Sequence, residues 1–363
     1  MSVFRRPLWG LLLGLLACGC IAAGPSLTTA DVDGQRLSHR QGLALAALWA
    51  GPSVGAPAAI LYDVDADRIL FERDAHQRRS PASTTKLATA IVALRRLSLT
   101  QVLTAGPEVA VEGMRVGLTP GDSASVEKLM YGLLLTSGND AAMTLAAGTG
   151  GSVAQFVDWM NDLVAELGLK DTHFMNPHGL DEQGHYSSAY DLLILAREAL
   201  KNPIIARLVA TPRASLDGWN FINRNELLGQ YPGVDGVKTG TSDEAGECLV
   251  ASATRDGHRV LLVVLGSSDR YADARALLDY YYAHYTWRPL DLPANRFGMW
   301  TPDPAGRFRY LTLDGTPQAF LERWRLPWLS YRVAWDDKAG AGVARFWAGS
   351  ELVGEAPLYL RTP

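Results

Sequence analysis

Along this chain the spacing of apolar positions changes from segment to segment, and each change predicts an element. An unbroken apolar run from residue 8 to 23 follows Arg5 and Arg6. Farther on, Ala58-Ala59-Ile60-Leu61-Tyr62-Asp63 reads as a buried strand, and Asp65-Ala66-Asp67 as a turn into a short strand at Ile69-Leu70-Phe71, which together make a hairpin. Pro81 suits the first turn of a helix, where its missing N–H is harmless, and Leu87, Ile91, Val92 and Leu94 continue one apolar face. Residues 126 to 200 are mainly helical in pattern, with a turn-rich interruption from 176 to 186 that carries Pro177, Gly179 and Gly184. After Gly233 the pattern turns to strands at 234–241, 248–254 and 260–266, the last two joined through the turn signal Asp256-Gly257, and a helix over 271–285 follows.

From about residue 288 the composition shifts. Six of the ten tryptophans, at 287, 300, 324, 328, 335 and 347, gather here with short alternating runs such as Val343-Ala344-Arg345-Phe346-Trp347. The segment reads as a small β-rich domain, its tryptophans as core packing in preference to a sugar-stacking surface. Residues 25–56, polar and then Ala/Leu-rich, receive no role.

With 363 residues, 48% hydrophobic and 20% charged, the chain has the length of two domains and the means to bury a core. A net charge of -4 argues against non-specific nucleic-acid binding, and the one basic cluster, Arg73, Arg78 and Arg79, reads as solvated surface. Residues 1–24 have the layout of a secretory signal, with an uncleaved membrane anchor as the alternative. Leu15-Leu16-Ala17-Cys18 resembles a lipoprotein cleavage site, so lipidation at Cys18 and simple cleavage after Ala22 or Ala23 both fit. Cys18 and Cys20 fall inside this signal, which leaves Cys248 as a packed thiol and no disulfide framework. His173 and His185 with Asp171 or Asp181 lack the spacing of a zinc helix, so neither metal nor cofactor is expected.

The chemistry concentrates in three short motifs. Ser83 and Lys86 of Pro81-Ala82-Ser83-Thr84-Thr85-Lys86 stand three positions apart on one helical face, where the amine reaches the hydroxyl it would deprotonate. Ser137-Gly138-Asn139 and Lys238-Thr239-Gly240 follow in that order. A second Ser-x-x-Lys, Ser125-Val126-Glu127-Lys128, lies too close to Ser137 to supply a separate helix, and its Glu127-Lys128 pair reads as exposed helix surface.

Together with Leu61-Tyr62-Asp63, Gly121-Asp122, Asp140-Ala141-Ala142, His178-Gly179-Leu180-Asp181 and Leu249-Val250-Ala251-Ser252-Ala253-Thr254, these motifs make residues 57–287 resemble the low-molecular-mass penicillin-binding proteins, the serine-type D-alanyl-D-alanine carboxypeptidases. The resemblance implies an α/β fold of the serine β-lactamase/transpeptidase type, an antiparallel sheet covered by helices plus an all-helical lobe, followed by a small β-rich C-terminal domain at 288–363. Relatives often end in an amphipathic membrane-binding helix, and the end of this sequence shows none, so an anchor is expected at the N-terminus.

By the same resemblance Ser83 is the nucleophile and Lys86 its base, its amine made partly neutral by burial and by the charge of Lys238. Ser137 would relay a proton to the leaving amine and Asn139 would hydrogen-bond the substrate backbone. Lys238 and Thr239 would receive the substrate's terminal carboxylate, and Gly240 would allow close approach. The backbone N–H groups of Ser83 and Thr241 would form the oxyanion hole, at about 3 kcal/mol per donor. Arg270 would help hold the carboxylate, with Arg275 as the competing choice, while His178 reads as structural.

The function implied is removal of the terminal D-alanine from peptidoglycan pentapeptides in the periplasm or at the cell surface, with β-lactams as covalent inhibitors. A D,D-endopeptidase acting on crosslinks would use the same site. A serine β-lactamase is disfavoured because no Glu-x-x-Leu-Asn occurs between Asn139 and Lys238. A non-catalytic wall-binding protein would be expected to have lost a motif, and all three are intact.

Overall fold

The computed structural model describes residues 31–32, 35–292, 300–302, 306, 308–313, 315–336 and 339–361. The expected signal at 1–24, with Cys18 and Cys20, lies outside the described residues. Among the described residues no helix is long and apolar enough to cross a membrane. The chain divides into two units, residues 51–283 and residues 1–50 with 284–363.

The smaller unit begins with the two-residue strands β1 (Asp31–Val32) and β2 (Gln35–Arg36) and the helix α1 (His39–Ala50). In the larger unit the run at 58–63 forms strand β3 (Ala58–Asp63), buried at every position, and turns into β4 (Arg68–Arg73). Next comes a 3-10 turn, Ala82–Thr85, then helix α2 (Lys86–Leu94), buried from Lys86 to Ala93. A helix buried on all sides sits inside a helical layer, and α2 does so.

Its surroundings come from β5 (Val102–Thr104) and β6 (Ser123–Ser125), which pair with each other, and from α3 (Val126–Leu134), α4 (Asn139–Gly150), α5 (Val153–Glu166), α6 (Ala189–Lys201) and α7 (Pro203–Val209). Helices α4, α5 and α6 pack directly on α2. Serines cap α3, α5 and α6: the side chains of Ser125, Ser152 and Ser188 each accept a backbone N–H of the first turn. A hairpin, β7 (Arg213–Leu216) and β8 (Trp219–Ile222), precedes the long strands β9 (Val234–Ser242), β10 (Gly246–Arg255) and β11 (His258–Ser267) and the helix α8 (Arg270–His284).

The main sheet has the order β4-β3-β11-β10-β9 and is antiparallel throughout. Strand β9 therefore lies at an edge, with Lys238 opposite Val250 and Gly240 opposite Cys248. The arrangement is the expected α/β one: a sheet covered by helices beside a helical layer.

One expected helix starts differently. In place of an α-helical turn at Pro81, Ala82 adopts φ 45°, outside the right-handed region, and opens the 3-10 turn. Gly179 explains the fit: a Cβ there would lie 2.0 Å from the Ala82 carbonyl oxygen, so the neighbouring loop presses directly on this turn.

The smaller unit is β-rich in its C-terminal part. Strands β12 (Tyr285–Pro289), β13 (Trp300–Pro302), β14 (Phe308–Leu313), β15 (Gln318–Glu322), β16 (Leu329–Asp336), β17 (Ala341–Ala348) and β18 (Glu351–Arg361) form a five-stranded sheet of order β13-β14-β18-β17-β16 and a β12-β15 pair. Its described core is Leu, Ala and Phe, including Leu290, Leu321, Phe346 and Leu358. The tryptophans lie at the margin of this core and not at its centre: Trp287, Trp324, Trp328, Trp335 and Trp347 are all half-buried, and Trp335 packs against the core. A large ring bearing an N–H settles more readily at the margin of a small core than at its centre.

Candidate active site

In a 3-10 turn, residues three apart eclipse one another. Ser83 and Lys86 are so related, and Lys86 Nζ lies 2.8 Å from Ser83 Oγ. The turn is held by Thr84, whose N–H and hydroxyl both donate to the Pro81 carbonyl. Thr85 meets His185, whose Nε2 lies 2.8 Å from its hydroxyl while Nδ1 accepts the Met175 N–H, so the ring is the neutral Nε2–H tautomer. Burial holds the His185 pKa at about 4.

Lys86 is fully buried, with Asn139 Oδ1 at 2.7 Å and the His178 carbonyl at 2.6 Å as its other partners. Its pKa is lowered well below the ordinary lysine value, first by burial and then by the charge of Lys238, with Asp140 pulling the other way. A neutral amine suits this geometry: two N–H groups donate to Asn139 and His178, and the lone pair faces the Ser83 hydroxyl.

The second motif occupies the break between α3 and α4. Ser137, at φ 66°, is 5% exposed, and Lys238 Nζ donates to its Oγ at 3.0 Å and to the Thr239 carbonyl at 2.9 Å. Lys238 is itself 1% exposed, and burial followed by Arg270 and Arg224 lowers its pKa to about 7. Two lysines and two serines thus form two pairs, Ser83-Lys86 on the turn and Ser137-Lys238 between helix break and strand. On β9, Gly240 runs against the nucleophile turn: a Cβ there would stand 3.0 Å from both the Pro81 carbonyl oxygen and the Ser83 nitrogen. A glycine is what permits this approach. Thr239 is buried and Thr241 exposed on either side of it.

Arg270, 8% exposed, is engaged with the chain itself. Its Nη1 donates to the carbonyls of Gly240 (2.7 Å) and Cys248 (3.1 Å), its Nη2 donates to Thr241 Oγ1 (2.6 Å), and its Nε pairs with Glu247 at 3.2 Å. It braces the end of β9 and orients Thr241. Arg275 is exposed on the same helix.

Some organising residues were not singled out as site residues from sequence. Asp181 accepts from Ser80 Oγ, Ser242 Oγ and the Glu244 N–H, joining the segment before the nucleophile to the end of β9. Asp140 is another, buried beside Asn139. Both sit within the resembling stretches, the one signal that could have marked them. His178, its pKa lowered to about 3 by burial and by Lys86, serves Lys86 through its backbone carbonyl.

Other candidates fall away from the site. Cys248 is fully buried, and burial pushes its thiol up to about 11, where it is inert. His173 bonds the Gly184 carbonyl, and no cluster of metal-ligating side chains occurs among the described residues. The second Ser-x-x-Lys is a helix cap, with Ser125 Oγ accepting the Lys128 N–H at 3.2 Å. Its lysine was expected on an exposed surface; it is 8% exposed, because its ammonium lies 4.3 Å from the Trp219 ring centroid.

Comparison with known proteins bears on this geometry. A family model, Peptidase S11, D-alanyl-D-alanine carboxypeptidase, matches residues 46–269. D-alanyl-D-alanine carboxypeptidase DacF of Bacillus subtilis is 38% identical over 250 residues, 65% of this chain and 64% of that protein. DacD of Escherichia coli is 37% identical over 252 residues, 65% of either chain. The chain thus matches a little under two thirds of the length of these curated relatives. Among solved structures, penicillin binding protein 6B from Escherichia coli superimposes with a TM-score of 0.67 at 30% identity, covering 84% of this chain and 95% of that one. A mutant of the Streptomyces K15 DD-transpeptidase reaches 0.61 at 33% identity, over 64% of this chain and 99% of that one. A sheet, a helical layer and a serine-lysine turn of this kind, matched by the family model over more than half of its length, make this chain a member of the D-alanyl-D-alanine carboxypeptidase family of serine peptidases.

Proposed function

We propose that the chain is a serine D,D-carboxypeptidase that removes the terminal D-alanine from peptidoglycan stem peptides and is acylated by β-lactams. The observation that carries this reading is the fully buried Lys86 amine 2.8 Å from Ser83 Oγ, with its own N–H groups already committed to Asn139 and His178.

An amide is a poor electrophile, so cleavage divides into acylation and hydrolysis. Neutral Lys86 takes the Ser83 proton as Oγ attacks the carbonyl of the penultimate D-alanine. The developing oxyanion is received by the N–H groups of Ser83 and Thr241, brought close by Gly240. As the C–N bond breaks, Ser137, in contact with Lys238, gives its hydroxyl proton to the departing amine and is resupplied with the proton Lys86 had taken, which leaves Lys86 neutral again. Free D-alanine leaves and the peptide stays as an ester on Ser83. Lys86 then activates a water that attacks this ester, and the proton returns to Ser83. Asn139 hydrogen-bonds the peptide backbone. Lys238, Thr239 and Thr241 hold the terminal carboxylate, with Arg270 setting the Thr241 hydroxyl. A β-lactam offers a strained cyclic amide to the same serine but no departing amine.

In this reading residues 57–287 are the peptidase domain, 288–363 a small β-rich domain and 1–24 an export signal that delivers the enzyme to the periplasm or cell surface. The test is D-alanine release from a synthetic peptide ending in D-Ala-D-Ala, comparing the parent with Ser83→Ala. Release by the parent alone is expected. Release by both would move the nucleophile elsewhere, whereas release by neither with persistent penicillin labelling would turn the reading toward cleavage of crosslinked peptides.

A further inference from the structure

Asp140 follows the asparagine of the second motif, and the acyl-transfer steps make no direct use of it. Its side chain is completely buried. The carboxylate accepts the backbone N–H groups of Val116 at 2.9 Å, Gly117 at 2.8 Å and Leu118 at 3.0 Å, and that of Ala141 at 2.9 Å. Three consecutive N–H groups converging on one anion form a nest. Here the chain fills the nest with its own side chain, and Arg115 Nε stands 3.7 Å from the same carboxylate. Gly117, at φ 97°, supplies the backbone turn that lets the three groups converge.

The residue before it grips the same segment. The Asn139 N–H donates to the Met114 carbonyl at 2.7 Å, and Nδ2 donates to the Glu112 carbonyl at 2.6 Å. With Nδ2 so committed, Oδ1 is the end of the amide that faces Lys86, at 2.7 Å. Were residues 112–118 to shift, Nδ2 would lose its acceptor and Oδ1 its fixed direction. Glu112, Met114 and Arg115 are exposed, so the clamp acts from beneath a rim open to solvent.

We propose that Asp140 is a positioning residue for acylation: by clamping segment 112–118 it fixes the Asn139 amide and, through it, the Lys86 amine against Ser83. The inference rests on Ser83 being the nucleophile. Lys86 is faced by Lys238 from β9, by Asp140 from α4, and by His178 and His185 from the loop between α5 and α6; Arg115 faces Asp140 in turn. Asp140 is the group among these that draws a proton toward Lys86, so its replacement by a neutral residue also makes that amine less basic.

The experiment follows acylation by a fluorescent penicillin across pH in the parent, Asp140→Asn and Ser83→Ala, with rates expressed per site finally labelled. For Asp140→Asn the plateau rate is expected to fall about 10- to 100-fold, as for a misplaced catalytic group, and the acidic limb to move to lower pH. Trypsin is expected to cut after Arg115 faster than in the parent, since one of the two oxygens that hold the Val116, Gly117, Leu118 and Ala141 N–H groups becomes an NH2 that cannot accept them. A carboxylate with only a structural role would reduce the labelled fraction or the Tm and leave both the rate per site and the limb unchanged, which overturns the proposal. Equal labelling of Ser83→Ala overturns the nucleophile assignment as well, while Ser83-dependent labelling with Asp140→Asn at the parental rate removes the clamp alone. Should Asp140→Asn fail to fold, Arg115→Gln loosens the clamp from its exposed side; a slowing of about two- to fivefold, the scale of one partly exposed ion pair, is expected, and an unchanged rate overturns the proposal.

Discussion

Two stretches of this chain spell Ser-x-x-Lys, and they have opposite fates. At Ser83 a 3-10 turn hands over to α2 at Lys86, the hydroxyl and amine eclipse at 2.8 Å, and the lysine is buried beside a second lysine. At Ser125 the serine is extended at the start of α3 and accepts the backbone N–H of Lys128. That lysine turns away to the Trp219 ring. The same letters thus make a nucleophile and base in one place and a cap with a cation–π anchor in the other. The backbone decides: a 3-10 turn aims positions i and i+3 at each other, whereas an N-cap serine aims its oxygen at its own helix.

The largest expected effect separates the two lysines. Lys86→Met should slow penicillin acylation of Ser83 by about 10²- to 10⁴-fold, the usual range for loss of a general base, and Lys128→Met should leave the rate per folded molecule unchanged. Comparable losses in both would erase the distinction.

A pH profile sharpens it further. Because the Lys86 pKa is depressed, the base is already neutral well below the ordinary lysine range, and its protonation should lower kcat/KM for D-alanine release on the acid side of that lowered value. An alkaline limb should begin near pH 7, where Lys238 loses its proton and with it the charge that receives the substrate carboxylate. A profile still rising through pH 9 would contradict the role given to Lys238.

Stability gives a smaller signal. Lys238 binds its proton less tightly when folded, at about 7, than the ordinary value of 10.5. Between these pH values the unfolded chain holds more protons, so this group makes stability rise with pH across the window and weigh against folding below it. Lys86 contributes in the same sense. Tm measured from pH 7 to 10 should therefore climb less in Lys238→Met than in the parent, and equal climbs would count against the burial cost. Smallest of all, Ser125→Ala should keep full penicillin labelling while losing about 1 kcal/mol of stability from the missing cap. Lost labelling there would reopen the choice of serine.

Much of the fold was legible. The continuous apolar strand at 58–63 and the long strands 234–242, 246–255 and 258–267 follow from runs of β-branched and apolar residues bounded by turn signals. The Asp256-Gly257 turn marks its hairpin equally directly. Less legible was the start of α2: Pro81 pointed to an ordinary helix, and nothing local announces that Ala82 takes a positive φ. That conformation is held by Gly179, almost a hundred positions away in sequence but in contact in space. The exact place of the tryptophans was hidden for a related reason. Their type supports packing, but whether a ring lies at the centre or the margin depends on how many strands cover it.

By itself the sequence determined which residue types were present and in what order: a serine and lysine three apart, a Ser-Gly-Asn, a Lys-Thr-Gly, and an apolar pattern able to form a sheet covered by helices. These rest on local spacing, which is a property of the chain. Tertiary structure alone decided that Lys86 meets Asn139 and the His178 carbonyl, that Lys238 meets Ser137, that Arg270 spends its guanidinium on Thr241 and the neighbouring carbonyls, and that Asp140 clamps a segment more than twenty residues before it. Each of these joins positions far apart in sequence, and the lowered lysine pKa values exist only once burial removes water from both amines and sets them near each other.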